Sequence, residues 1–413
     1  MSRPSAKKSA VAIPVTRAPG GELRVLVGRR RSRFLGGFFA FPGGATEPED
    51  GDPETDEDGC LRQTAARELR EETGLNVEAT ALLDAGRRVT PPFFPRRFDT
   101  LMYVAVVDHE VEPTPETTEM EDLHWDSPAE VYRRWGDLEI RVAPPLIPML
   151  HDLAEIRDEP YDAIAARLRA TNDRMEAGNG PRIEFVPDVL MVPMDTVTLP
   201  PATTTNCYLV GSREFAILDP GGRGAEVDRL LVHVKERVAE GGTPVAVVLT
   251  HHHGDHTGGV AAVARALDVP VIAHETTWRL WGGDGLPAEA RRTFADGDVL
   301  ELNGGERLRA LFTPGHAAGH LAFLEERRGS LFAGDLVSGL STILVDSGPG
   351  ALDEFLASLE RIRDCGARTL FPAHGPPMIS PERDVQRVLD HRREREDKIV
   401  AALEDGAQPL DTV

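Results

Sequence analysis

Cysteine is scarce in this chain of 413 residues: Cys60, Cys207 and Cys365 are odd in number and far apart. That arithmetic argues against a disulfide framework and predicts free thiols in a reducing cytoplasm. Long apolar runs are lacking too. No stretch approaches the roughly 20 residues a helix needs to cross a bilayer, so the sequence does not read as a membrane protein. The first apolar segment, VAIPV, is short and broken by Pro14, which predicts no secretory signal. Positive charge is in deficit as well: 46 Lys and Arg against 68 Asp and Glu leave a formal net charge of −22. A field of that sign repels polyanions at long range and disfavours nonspecific nucleic-acid binding. Local basic spots nonetheless occur at residues 28–33, 95–98 and 391–397.

What the chain does contain is organised around VAVVLTHHHGDHTGG, residues 245–259. A β-branched apolar run predicts a buried strand, and the polypeptide then releases imidazoles and carboxylates into one tight loop. His251 and His253 are two apart and face the same side of an extended segment, while Gly254 lets the chain turn before Asp255 and His256. Nitrogen and carboxylate donors without thiolate suit zinc first, iron or manganese less often. A solvated histidine run would explain HHH alone. It does not explain three more candidates that each end an apolar run: His316 in LFTPGHAAGH, Asp335 in LFAGDLV and His374 in LFPAHGP.

This pattern resembles the metallo-β-lactamase fold hydrolases. The resemblance implies that His251, His253 and His316 hold one zinc ion, that Asp255, His256 and His374 hold a second, and that Asp335 bridges them. It also implies a catalytic role for Asp255 and an αββα sandwich. Of the remaining histidines, His233 and His274 read as packing or surface residues, His252 alternates away from the ligands, and His320 reads as a support for them.

At 413 residues the length suggests two globular units. In the first half, residues 11–41 alternate short apolar runs with Gly-Gly turns, the pattern of a β-meander. Residues 47–58 hold eight acidic residues and two prolines, which predicts a solvated loop. From Leu61 the period becomes helical, with a Leu61, Ala65, Leu69 stripe and a C-cap at Gly74. On this helix Glu68, Glu71 and Glu72 share a face, a repulsive arrangement that Arg67 or a hard divalent cation would offset.

The string RELREETGL behind FPGG resembles the Nudix box. The resemblance implies magnesium or manganese on Glu68, Glu71 and Glu72, catalytic roles for Glu68 and Glu72, Arg67 as a structural partner, and an α/β/α sandwich. Twenty-two residues separate Gly44 from Arg67, longer than the family's spacing, and Glu47 or Glu49 is the candidate for the glutamate thereby displaced. The insertion, with VTPPFFPRRFDTLMYVAVV at residues 89–107, resembles the coenzyme A diphosphatase branch. Glu119 and Glu121 are further acidic candidates, against the alternative of an exposed loop before the Trp125 strand.

Helical patterns follow to Glu155 and over residues 161–177. The expected organisation is a mixed α/β and α+β chain: a Nudix-like domain at 1–178, a linker at 179–182 within GNGPR, a metallo-β-lactamase-like domain at 183–380, and a helix and tail at 381–413. The last part resembles the subgroup of β-lactamase-like protein 2, an endoribonuclease, more than glyoxalase II. Members of that subgroup usually continue into a winged helix, which is expected to be absent or removed here. The expected function is a two-headed hydrolase. The first half would cleave a nucleotide-type diphosphate, coenzyme A or its acyl derivative, and the second a thioester or phosphodiester. The alternative is a single-strand endoribonuclease acting on RNA with a Nudix module that only binds nucleotide.

Overall fold

The computed structural model describes residues 5–31, 35–91, 94, 96–176, 183–283 and 285–404. The expected linker and the tail past residue 404 lie outside them, as do parts of the basic spots at 28–33 and 95–98. The chain divides into two compact units, Met1–Leu190 and Met191–Val413.

The first unit opens with the expected meander: β1 (Lys7–Arg17), β2 (Leu23–Arg30) and β3 (Phe39–Ala40) pair antiparallel in turn. There follow β4 (Gly43–Ala45), α1 (Glu57–Thr73), β5 (Leu83–Val89), β6 (Phe98–Val106), β7 (Met120–Asp126), α2 (Pro128–Gly136), α3 (Leu146–Ala154) and α4 (Tyr161–Glu176). The sheet runs β3-β2-β1-β6-β5, with β4 on β1 and β7 on β2. β1 and β6 are parallel, from Lys7 opposite Phe98 to Val15 opposite Val106.

Two sequence expectations need correction. Helix α1 starts at Glu57, four residues ahead of Leu61, because the Asp56 carboxylate caps it by accepting the Gly59 N–H and acidic residues in the first turn complement the helix dipole. The acidic insertion is not uniformly solvated either, since Asp50 turns inward and is buried. Gly74 ends α1 as expected, at φ 78° in the left-handed region. Leu61, Ala65 and Leu69 pack against Ala10, Ala12 and Tyr103 of β1 and β6. α2 escaped the sequence reading; Ser127 caps it and Pro128 occupies its first turn.

The division between the units falls within the second of two further strands, β8 (Ile183–Val186) and β9 (Val189–Asp195). After them come β10 (Thr204–Val210), β11 (Glu214–Leu218), α5 (Ala225–Ala239), β12 (Thr243–Val248), α6 (Gly254–Thr257), α7 (Val260–Leu267), β13 (Val271–Ala273), α8 (Glu275–Trp281) and β14 (Arg291–Thr293). The remaining elements are β15 (Val299–Glu301), β16 (Arg307–Phe312), β17 (Leu321–Glu325), β18 (Ser330–Gly334), α9 (Ala351–Arg363), β19 (Thr369–Pro372) and α10 (Pro381–Glu404). One sheet runs β14-β13-β12-β11-β10-β9-β8 and a second β15-β16-β17-β18-β19. Their faces meet where Tyr208 of β10 lies 5.1 Å from the Phe332 ring of β18 and 5.5 Å from the Phe371 ring of β19. The Tyr208 hydroxyl donates to Pro372 O at 2.6 Å, so its polar end is satisfied inside the sandwich. Helices α9 and α10 cover the second sheet through Phe355, Leu359, Ile362, Val385 and Leu389, and α5 and α7 pack beside β12. All three cysteines are free, and among the described residues no helix is long and apolar enough to cross a membrane.

Candidate metal centres

In the second unit every predicted ligand follows the C-terminal end of a strand. His251 lies just past β12, His316 past β16, Asp335 immediately after β18 and His374 just past β19. Such strand ends are where open α/β sheets gather ligands. The side chains converge in three overlapping groups: His251, His253 and His316; His251, His256 and Asp335; and Asp255, His256 and His374. Within each group the ligand atoms lie inside 4.8 Å of one another.

The nitrogens of the first group are close-set. His251 Nε2 and His253 Nδ1 are 2.9 Å apart, His316 Nε2 is 3.1 Å from His253 Nδ1, and 3.3 Å separates His316 Nε2 from His251 Nε2. Nitrogens about 2.0–2.1 Å from a tetrahedral zinc are spaced by roughly 3.4 Å, so these three outline one slightly contracted face of such a site. Asp335 reaches both sides: Oδ2 is 3.5 Å from His316 Nε2, and Oδ1 is 3.5 Å from His256 Nε2 and 3.3 Å from His374 Nε2. His374 Nε2 is also 3.5 Å from Asp255 Oδ2.

Hydrogen bonds fix which ring nitrogen is free. His316 Nδ1–H donates to Leu344 O at 2.7 Å and His374 Nδ1–H to Thr204 O at 2.8 Å; a carbonyl only accepts, so Nε2 of each ring carries the lone pair. Asp219 does the same for His256, at 2.9 Å from Nδ1, and also accepts from the Thr250 N–H and hydroxyl at 2.8 and 2.6 Å. The Thr250 oxygen is then left to accept from His251 Nδ1–H at 3.0 Å. Asp219 ends β11 with φ 49°, a left-handed turn that precedes Gly221 and Gly222. A Cβ on Gly221 would stand 1.5 Å from Asp255 O, which is why this loop and the metal loop approach so closely. The sequence reading missed Asp219 and Thr250. An aspartate closing the apolar run EFAIL ahead of Pro-Gly-Gly was the available signal.

The electrostatics favour cations. Burial, reinforced by the neighbouring imidazoles, pushes His251 well below the ordinary histidine range and His253 down to about 4, so their lone pairs are available at neutral pH. Burial alone would lower His256 too, but Asp219 and Asp335 outweigh it and hold that ring well above its usual value. Two buried polar atoms there, His256 Nε2 and Asp335 Oδ1, have no hydrogen-bond partner. Orphan groups of this kind cost stability unless an ion satisfies them, and the donor set fits a pair of zinc-class cations. His320 supports the site: its Nδ1–H donates to Thr313 Oγ1 at 2.9 Å, and its Nε2 accepts the Asp335 backbone N–H at 3.3 Å. His252 belongs to none of the ligand groups and lines the cleft above them.

In the first unit, Arg67 organises the glutamates. Buried on α1 with 8 % of its side chain exposed, it donates to both Asp50 carboxylate oxygens at 2.9 Å, to Glu68 Oε1 at 3.0 Å and to Glu71 Oε2 at 3.1 Å. Asp50 is thus the acidic residue of the insertion that enters the site, whereas Glu47 and Glu49 stay exposed. Glu72 Oε2 accepts the Gly43 N–H at 2.8 Å while its Oε1 is buried without a partner. Burial raises Glu68 and pushes Glu72 up to about 7; Arg30 and Gly43 oppose the latter shift, and Glu68 and Glu119 add to it. Of the two later candidates, the exposed Glu119 adds negative charge near the buried glutamates, and Glu121 pairs with Arg29 at 3.0 Å. Among the described residues Glu68, Glu71 and Glu72 do not form a three-ligand group within 4.8 Å, Glu71 being paired with Arg67. The orphaned oxygen and the mutual repulsion fit a hard divalent cation that prefers carboxylates.

Comparison with known proteins matches residues 6–152 to the NUDIX domain and residues 200–374 to the metallo-beta-lactamase superfamily. The chain is 34 % identical over 200 residues to the lactamase-like protein adaB of Aspergillus niger, covering 48 % of this chain and 59 % of that protein. It is 31 % identical over 218 residues to an atrochrysone carboxyl ACP thioesterase of Aspergillus fumigatus, covering 51 % and 62 %. The match therefore spans about three-fifths of the length of these curated relatives. A NUDIX hydrolase from Alicyclobacillus acidocaldarius aligns at 26 % identity over 40 % of this chain and 97 % of its own, with a TM-score of 0.35. Residues 6–152 are a NUDIX domain, and residues 200–374 belong to the metallo-beta-lactamase superfamily.

Proposed function

We propose that the chain is a two-headed metal-dependent hydrolase whose second unit cleaves thioesters. The observation that carries the choice of substrate is the lining of the cleft over the metal centre. About 970 Å³ in volume, it is bounded by His252, His253, Asp255, His316, Asp335 and His374, by Ser338, Ser341 and Thr342, and by an apolar rim; among the described residues no lysine or arginine lines it. Val197, Leu199 and Leu344 on that rim are 100 %, 64 % and 63 % exposed. A phosphodiester chain would call for cationic side chains along its backbone. A neutral acyl thioester needs none and gains from apolar contact. That two curated relatives of this half include a protein named as a thioesterase supports the same reading.

Two divalent ions bound there would supply an activated water and polarise the attacked carbonyl. The chain's own part is to hold the ligands in one orientation: Asp219, Thr250, Leu344 O and Thr204 O fix the imidazole tautomers, and His320 anchors Asp335 through its backbone. A thiol leaving group, with a pKa near 8.5, departs as thiolate without a dedicated acid.

For the first unit we infer magnesium- or manganese-dependent cleavage of an organic diphosphate of the coenzyme A type. Glu68 and Glu72 would hold the cation, Arg67 would orient Glu68, and Arg30 would lie beside the reacting phosphates. The test is the full chain, supplied with zinc and magnesium and given acyl-coenzyme A or labelled single-stranded RNA. Free thiol should appear, His253→Ala should abolish it, and Glu72→Gln should abolish magnesium-dependent diphosphate cleavage alone. RNA cleavage without thiol release would overturn the assignment of the second unit.

A further inference from the structure

Next to the buried glutamates, the first unit encloses a cavity of about 310 Å³ whose wall includes Gly43 and Gly44. That volume sits at the small end of the range for ligand pockets. Its lining is largely apolar, with Phe41, Phe98 and Met102 among the contributors, yet it contains arginines, among them Arg88, whose pairing is incomplete. Arg88 lies at the end of β5 with only 13 % of its side chain exposed. Its Nη1 is buried without a hydrogen-bond partner, and its ion-pair partner Glu176, on the last turn of α4, is 3.5 Å from Nε. Burial pulls this guanidinium below its ordinary range, with Glu176 opposing. A buried guanidinium with its fork incompletely paired is costly unless something completes it.

On β4, separated from β5 in the sheet by β1 and β6, the Gly43 N–H donates to Glu72 Oε2 and Arg30 Nη1 donates to Gly43 O at 3.3 Å. Gly44 lies so close to Glu68 that a Cβ there would be 2.3 Å from Oε1. The wall thus runs from the proposed cation site, through apolar surface, to an underpaired cation. A ligand matching it has a diphosphate at the glutamates, an apolar or planar body, and a second anionic group at Arg88. The newcomer must outcompete Glu176, which favours a doubly charged phosphate monoester over a single carboxylate.

We propose that Arg88 is a specificity-determining residue of the first unit, selecting diphosphate substrates that carry an additional phosphate monoester. The proposal rests on the diphosphate-cleaving reading of this unit. It is tested with the full-length protein and magnesium on coenzyme A and dephospho-coenzyme A, which differ by one phosphate monoester. The wild type should favour coenzyme A by roughly 10- to 100-fold in kcat/KM, mostly through KM, as expected for one charge-assisted hydrogen-bonded pair. Arg88→Gln should bring the ratio to about one, and Arg88→Lys should restore part of it. Glu176→Gln keeps an acceptor for the Val89 N–H but removes the competing charge, and should increase the preference. A purely structural role for the pair would instead lower it. A wild-type ratio of one, or a preference unchanged in Arg88→Gln, overturns the proposal. If neither compound is cleaved, the diphosphatase reading fails, and calorimetric binding of the same two compounds decides the subsite. Arg88-dependent preference for coenzyme A then sustains it, and equal or absent binding refutes it.

Discussion

Asp219 belongs to none of the candidate ligand groups, yet through 2.9 Å to His256 and two bonds to Thr250 it orients two of the candidate metal-ligand imidazoles, His256 and His251. Replacing it by alanine should weaken zinc retention about 10- to 100-fold, the usual cost of losing an outer-shell partner, as read by competition with a chelator. Unchanged retention would mean that the imidazoles orient themselves. In the first unit the matching residue is Asp50. Burial alone would raise its carboxyl, but the Arg67 fork, the Glu47 N–H and Thr64 hold it below the ordinary carboxylate range. A depressed folded-state pKa gives stability that is fully present above the unfolded value of about 3.9 and lost as pH falls through the folded value. Asp50→Asn should therefore destabilise the protein by about 3–5 kcal/mol at pH 7, as for breaking one side of a buried pair, with the gap narrowing only below about pH 4. Thermal unfolding at stepped pH measures it; a gap that already closes by pH 6 would contradict the assignment.

At the level of elements, the turn after β11 and the loop after β12 work as one unit because glycines let their backbones touch. Gly221→Ala would force a Cβ to within 1.5 Å of Asp255 O, so we expect loss of bound zinc with retained far-ultraviolet circular dichroism. Full zinc content in this variant would show that the loops can separate without consequence. The rim segment around Leu344 is built differently. Its backbone carbonyl accepts from His316 while its side chain stands exposed over the cleft. Leu344→Ser should lower kcat/KM roughly tenfold on long-chain acyl thioesters and much less on acetyl thioesters, since burying a leucine side chain is worth about 1.5–3 kcal/mol. An equal drop on both would point to disturbance of His316 instead.

These elements also show what a sequence can reveal. The side chains that converge at the candidate metal centre were legible because each follows an apolar strand with a residue that burial would otherwise forbid, and Leu61, Ala65 and Leu69 marked α1 by their period. Asp219 was not read because one aspartate at a strand end looks like any turn residue until its partner, His256, is brought from 37 positions away. Asp50 was hidden by its own neighbours: in a run of eight acidic residues, composition cannot single out the one that turns inward. The helix α2 was masked by a proline at its start, which reads equally as a turn. The Nudix glutamates were legible as a face, and so was Arg67 pairing with Glu71 one turn on, but not that the same guanidinium would also engage Asp50 and Glu68.

For the molecule as a whole, a net charge of −22 and a cleft that no lysine or arginine lines among the described residues suit neutral acyl substrates better than polyanions. The proposed chemistry of the second unit requires that side chains from segments far apart in sequence, residues 251 to 374, which the fold brings together, hold two cations. The most direct measurement is anomalous X-ray scattering at the zinc edge from crystals of the zinc-loaded full-length protein. Two peaks about 3.5–4 Å apart, one beside His251, His253 and His316 and the other beside Asp255, His256 and His374, with Asp335 between them, are the expected result. Zinc bound elsewhere, with no density among these seven side chains, would contradict it.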